Sequence, residues 1–158
     1  MFLIFLYTMC VQESSGVGCL VSYLRPDLGD GLKGMSALGL AHIGDAVFEL
    51  MVRTWLCSQG AVTAKKLHGG AIELVSAKAQ ALASEVIVPM LCEEELAVFK
   101  RGRNARVNTT PRGSSNGEYH AATGVEALFG YLYLSGRRAR LDELFSLIIK
   151  PTKNSVDK

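Results

Sequence analysis

Excess charge is the first thing this sequence lacks. Its 17 Lys and Arg against 15 Asp and Glu leave a formal net charge of +2. A chain so near neutrality has no basic coat, so any affinity for nucleic acid must come from where the cations sit. Cysteine is scarce: Cys10, Cys19, Cys57 and Cys92 never fall in a C-x-x-C pair, and no histidine cluster accompanies them. That spacing argues against zinc. With 49% hydrophobic residues the chain has core material enough without disulfide staples, which fits a reducing cytoplasm. Cys57 lies in an apolar helical run and is expected to be a buried free thiol. Long hydrophobic runs are missing as well. The opening MFLIFLYTMC is far short of the roughly 20 residues that a bilayer span needs, and it lacks the basic start of a signal peptide. It reads as an extension that packs on the core or is poorly ordered, with no membrane role. No segment alternates convincingly as a strand, and there is no internal repeat or low-complexity tract.

What is present is helical periodicity. Leu38, Ile43, Val47, Leu50, Met51 and Trp55 recur at three- and four-residue spacing and predict a helix over Ser36–Gln59, stopped by Gly60. Thr63–Met90 reads as a second helical region, broken near Gly69–Gly70 and ended by Pro89. Glu93–Arg103 reads as a third helix, with acids at its start to suit the macrodipole. Asn104–Gly117 has a loop composition. Helices return over Glu118–Leu134 and Ala139–Ile149, separated by Gly136. The fold class is therefore all-α, a bundle of five to seven helices. The divisions are an extension over 1–34, a helical domain over 35–150 and a tail over 151–158.

Two acids stand out from their surroundings. Asp45 sits in Gly44-Asp45-Ala46-Val47, a poor place for a residue whose short side chain competes for backbone hydrogen bonds. On a helix, Asp45, Glu49 and Arg53 form one stripe, each about 40° from the last. Such a stripe is equally compatible with a solvated face held by a Glu49–Arg53 pair. Glu126 lies in the apolar run AATGVEALFGYLYL, where a lone carboxylate is costly unless paired or bound to a metal. Mg²⁺ needs only one or two carboxylates, with water and phosphate completing its shell. Asp45 and Glu126 on facing helices would make a minimal phosphodiesterase site. The alternative is two partly exposed acids that never meet.

Local charge is concentrated in one place. Lys100, Arg101, Arg103, Arg106 and Arg112 fall in a stretch without an acid. Arginine matches phosphate geometry, and a mobile basic loop can follow a groove. Lys78, with Lys65 and Lys66, forms a weaker candidate surface. His68 and His120 are poor candidates for proton shuttles, because a coordinated water can serve without a histidine base. Arg137, Arg138 and Arg140 fit helix-end roles. Tyr131 and Tyr133 fit the core or a subunit seam.

Four segments together resemble a known family. IGDAVFEL and ATGVEALFGYLYLSG are similar to the two acidic helices of ribonuclease III, and VSAKAQA and FKRGRNAR resemble its Mini-III branch, which lacks a double-stranded-RNA-binding domain. The likeness runs in order from about Leu38 to Phe145. It implies a ribonuclease III-type helical domain, a homodimer, and an Mg²⁺-dependent endonuclease that cuts double-stranded RNA into 5′-phosphate and 3′-hydroxyl ends. It makes Asp45 and Glu126 the catalytic and metal residues, with Glu49 and Thr123 as supporting residues. Maturation of large-subunit ribosomal RNA is the implied role, with room for a ribosomal-protein partner. The sequence departs from the full-length ribonuclease III pattern at Ala41 and Thr123, where that pattern has acids, and this points to one metal held largely through water. The subunit seam is expected around Val47, Met51, Phe129 and Leu132. The competing readings are a catalytically inactive RNA-binding module of the same fold and a helical dimer with a purely interactive role.

Overall fold

A computed structural model describes Leu24, residues 26–106 and residues 115–149. Most of the expected extension, the tail over 151–158, Arg112, Cys10 and Cys19 lie outside the described residues. Among those described there are six α-helices and no strand: α1 (Ala37–Ser58), α2 (Ala64–Val75), α3 (Ala77–Ile87), α4 (Glu93–Arg103), α5 (Asn116–Leu134) and α6 (Arg138–Ile149). None is long and apolar enough to cross a membrane.

The centre is α5, which packs against α1, α3, α4 and α6. Its sequence is apolar nearly all round, as a helix surrounded by others must be. Val125, Ala127, Leu128, Phe129 and Leu132 are completely buried. Phe48 of α1 meets Phe129 edge-on at 5.2 Å and Phe145 of α6 at 5.9 Å, an arrangement that suits the quadrupoles of the rings. Ser115 caps α5, accepting from the Glu118 N–H at 3.2 Å while Glu118 accepts from the Ser115 N–H at 2.8 Å.

Four expectations need correction. The buried face of α1 is Leu40, Ala41, Gly44, Phe48 and Val52. Of the stripe read from the sequence, Leu50 is 61% exposed. Both stripes are apolar, and hydrophobicity alone does not distinguish the one that meets the core. The break between α2 and α3 falls at Ser76, not at Gly69–Gly70. Ser76 is extended, and its hydroxyl accepts from the Ala79 N–H at 3.2 Å. A glycine costs a helix only about 1 kcal/mol, and α2 is held on α1 through buried Ala71 and the contact of Gly70 with Leu56. Phe129 and Leu132 cannot form a subunit seam, because both are at 0% exposure inside the protomer. Cys57 is a free thiol but exposed, since it lies near the end of α1 on a side that the core does not cover.

The chain entering α1 is tied to the body. Leu28 N–H donates to the Leu134 carbonyl at 2.9 Å, and the Arg138 guanidinium reaches the Pro26 carbonyl. At the other side, Arg140 of α6 donates to both carboxylate oxygens of buried Glu95 on α4, each at 2.9 Å, and to the Met90 carbonyl. Arg137 pairs with Glu94 at 2.7 Å and lies over the Tyr131 ring. These three arginines are clamps between elements.

Candidate active site

Two glycines bring α1 and α5 into backbone contact. A Cβ built on Gly44 would lie 1.7 Å from the Glu126 carbonyl oxygen, and one on Gly130 would lie 2.1 Å from that of Leu40. Both values are far inside any real contact, so only glycine permits this crossing. Asp45 follows Gly44 directly, and Glu126 is the residue whose backbone Gly44 touches. The crossing therefore delivers the two acids to one place.

Their electrostatics agree with that placement. Glu126 is half-buried, and its carboxyl is pushed up to about 7, first by burial and then by the Asp45 charge beside it. Asp45 is also raised, by partial burial and by Glu49, with His42 pulling the other way. A carboxyl raised by a second acid beside it at a protein surface is a site where a cation relieves the repulsion. Asp45 and Glu126 are among the residues singled out in the sequence, and the structure joins them.

The supporting residues divide. Glu49 accepts from the Arg53 guanidinium, in part at 3.1 Å, so the stripe does carry an ion pair. Its charge still reaches Asp45. Thr123 is buried and donates its hydroxyl proton to the Tyr119 carbonyl at 3.0 Å. The residue that sequence reasoning missed is Gln80 on α3. It is 1% exposed and lies beside Glu126, whose charged form it favours, while its own Oε1 is buried without a partner. The signal was available: Gln80 is the one large neutral polar side chain in the run SAKAQALAS.

Among the described residues no group of three or more His, Cys, Asp or Glu could hold a metal. Two carboxylates and an unused amide oxygen form an all-oxygen donor set. That suits Mg²⁺, which keeps most of its water and takes few protein ligands, and does not suit zinc.

The basic segment does not present one face. Lys100, Arg101, Arg103 and Arg106 are all exposed, but Arg101 and Arg103 point about 160° apart around α4. Arg103 borders Ser84 and Glu85 of α3 and Ala121 of α5, the helices that carry Gln80 and Glu126. Arg101 borders a separate groove with Lys33, Glu94, Tyr131 and Arg137. Lys78 is exposed on the first turn of α3, where its charge reaches Glu118. Lys65, Lys66 and His68 lie exposed on α2. His120 lines a notch with Arg103 and Asn104.

The unburied stripe of α1 has its own surroundings. Ile43, Val47, Leu50 and Met51 line an open apolar groove with Tyr133 and Leu141.

Comparison with known proteins gives a consistent result. Residues 38–137 match the family model described as the ribonuclease III domain. A curated relative from Clostridium tetani named Mini-ribonuclease 3 is 45% identical over 119 residues, covering 75% of this chain and 79% of the relative. The Mini-ribonuclease 3 of Enterococcus faecalis is 40% identical over 128 residues, covering 80% and 97%. Among solved structures, the X-ray crystal structure of a Fusobacterium nucleatum protein is similar with a TM-score of 0.70 at 30% identity, covering 77% of this chain and 97% of that one.

Proposed function

The chain belongs to the ribonuclease III family, in its Mini-ribonuclease 3 branch, and is an endoribonuclease; we propose that it hydrolyses double-stranded RNA with Mg²⁺ held by Asp45 and Glu126. The observation that carries this reading is the glycine-mediated contact of α1 and α5, which sets an acid from each helix side by side. A bound Mg²⁺ supplies a Lewis acid for the phosphate and lowers the pKa of a coordinated water. The protein's part is to keep the two carboxylates fixed and correctly charged. Glu126 titrates near neutrality without a cation, so cation binding releases protons and tightens as pH rises.

The proposed phosphate-holding surface is Lys100, Arg103, Arg106 and Lys78, with Arg101 on the opposite side of α4 and Arg112 further along the same basic stretch. Duplex RNA is recognised mainly by shape, phosphates and 2′-hydroxyls, and exposed cations suit its phosphates. The expected products carry 5′-phosphate and 3′-hydroxyl ends. Large-subunit ribosomal RNA precursors in the cytoplasm are the proposed substrate class, with a ribosomal protein as a further partner.

A homodimer places two such sites on one duplex, one for each strand. The seam belongs on the groove of Ile43, Val47, Leu50, Met51, Tyr133 and Leu141, an apolar face left open in the protomer. The decisive experiment incubates labelled RNA duplex with the protein, with and without Mg²⁺, beside Asp45→Asn. Cleavage should require Mg²⁺ and vanish in the variant while duplex binding persists. A variant that cuts near the wild-type rate would overturn the assignment.

A further inference from the structure

A buried glutamine in an alanine-rich helix invites a physical account. Gln80 sits on the first turn of α3, whose neighbouring residues are mostly alanine, and it is sealed from solvent at 1% exposure. Methionine would fill the same volume and leave nothing unsatisfied. The amide lies beside Glu126 and favours its charged form. Its Oε1 is buried and accepts no hydrogen bond. Buried acceptors are normally satisfied, and an orphan marks a missing partner or a functional role.

We infer that Gln80 is a positioning residue of the phosphodiesterase site, its amide N–H fixing the Glu126 carboxylate and its Oε1 accepting a proton from a water of the hydrated divalent cation. This rests on the assignment of Asp45 and Glu126 as the metal site. The chemistry required of the partner is narrow. It must donate a hydrogen bond, be small enough for a closed position, and sit beside a carboxylate. A water whose protons are polarised by a cation meets all three conditions, and a magnesium shell held by two carboxylates is mostly water. Thr123, the other neutral polar candidate, has already given its proton to the Tyr119 carbonyl. The amide of Gln80 can serve as donor and acceptor at once, which neither a carboxylate nor a thioether can do when ionised or apolar.

The test uses Gln80→Met, close in shape and apolar, and Gln80→Glu, which restores an acceptor with charge. Mn²⁺ affinity is measured directly by calorimetry on the RNA-free protein, beside melting temperature in EDTA and the Mg²⁺ concentration for half-maximal cleavage. Gln80→Met should melt at or above the wild-type temperature in EDTA, because it removes an unsatisfied acceptor. Its Mn²⁺ affinity should fall about 10–100-fold, with a matching rise in Mg²⁺ requirement. Gln80→Glu should bind Mn²⁺ at least as tightly as wild type. Gln80→Met with unchanged Mn²⁺ affinity and Mg²⁺ requirement would overturn the inference and leave Gln80 a core residue. Asp45→Asn binding Mn²⁺ like wild type would instead overturn the site assignment, a separate failure.

Discussion

Replacing Glu126 by Gln should destroy catalysis and stabilise the metal-free protein, and the two effects share one cause. Burial and the Asp45 charge raise the Glu126 pKa from 4.5 to about 7. Below about pH 4.5 the group is protonated whether folded or unfolded and contributes nothing. Between about 4.5 and 7 the folded state binds more protons than the unfolded state, so stability falls as pH rises. Above 7 the full penalty is in place. At about 1.4 kcal/mol per unit the shift corresponds to roughly 3 kcal/mol, or about 2–3 kcal/mol after allowing for the solvent that still reaches the carboxylate. Gln keeps the shape and removes the charge. In EDTA at pH 8, Glu126→Gln should therefore melt about 5–10 °C above wild type for a domain of this size, with a smaller gain at pH 5. Adding Mg²⁺ should raise the wild type and not the variant, closing the gap. Calorimetric melts at both pH values, with and without Mg²⁺, measure all of this. A variant less stable than wild type at pH 8 in EDTA, or a gain independent of pH, would refute the argument, because Glu126 would then be neither desolvated nor repelled by Asp45.

Gly44→Ala should cost at least about 3 kcal/mol and abolish cleavage, since its Cβ would collide with the Glu126 backbone. Gly69→Ala, with open space around it, should gain up to about 1 kcal/mol, and chemical denaturation compares the two. Glu95→Ala should lose about 1–3 kcal/mol, because Arg140 loses its buried partner and keeps exposed Glu143 and the Met90 carbonyl. Because Arg140 holds the Glu95 carboxyl below its ordinary range, the stability from this pair is present above about pH 4.5 and lost as pH falls further, which an acid titration of the variant and wild type would reveal. Arg103→Ala should weaken duplex binding more than Arg101→Ala and flatten the salt dependence by roughly one unit of slope; equal effects would place the RNA elsewhere. Leu50→Glu should leave the fold intact and shift the protein to monomer in sedimentation, because this side chain is 61% exposed in the protomer.

Helix existence, the class of fold and the two acids follow from the sequence alone, because each rests on local chemistry. The periodicity of α1, α4, α5 and α6 is a property of short windows. Asp45 and Glu126 announce themselves by being carboxylates among Ala, Gly and Val, whose cost needs no knowledge of the fold. The caps are nearly as local: Ser76 starts α3 by accepting from the N–H three residues on, although two consecutive glycines upstream gave the stronger apparent break. Only the tertiary structure decides which of two apolar stripes on α1 meets the core. That choice depends on where α5 can approach, and the approach is set by Gly44 and Gly130, residues with no side chain to advertise it. The same is true of Gln80, whose meaning comes from the burial of one oxygen and the proximity of Glu126 on another helix. Charge runs divide for a geometric reason: neighbours in sequence on α4 face opposite sides of a helix, so Arg101 and Arg103 serve different surfaces. Periodicity and composition are read along the chain, while contact between backbones is a property of two segments at once.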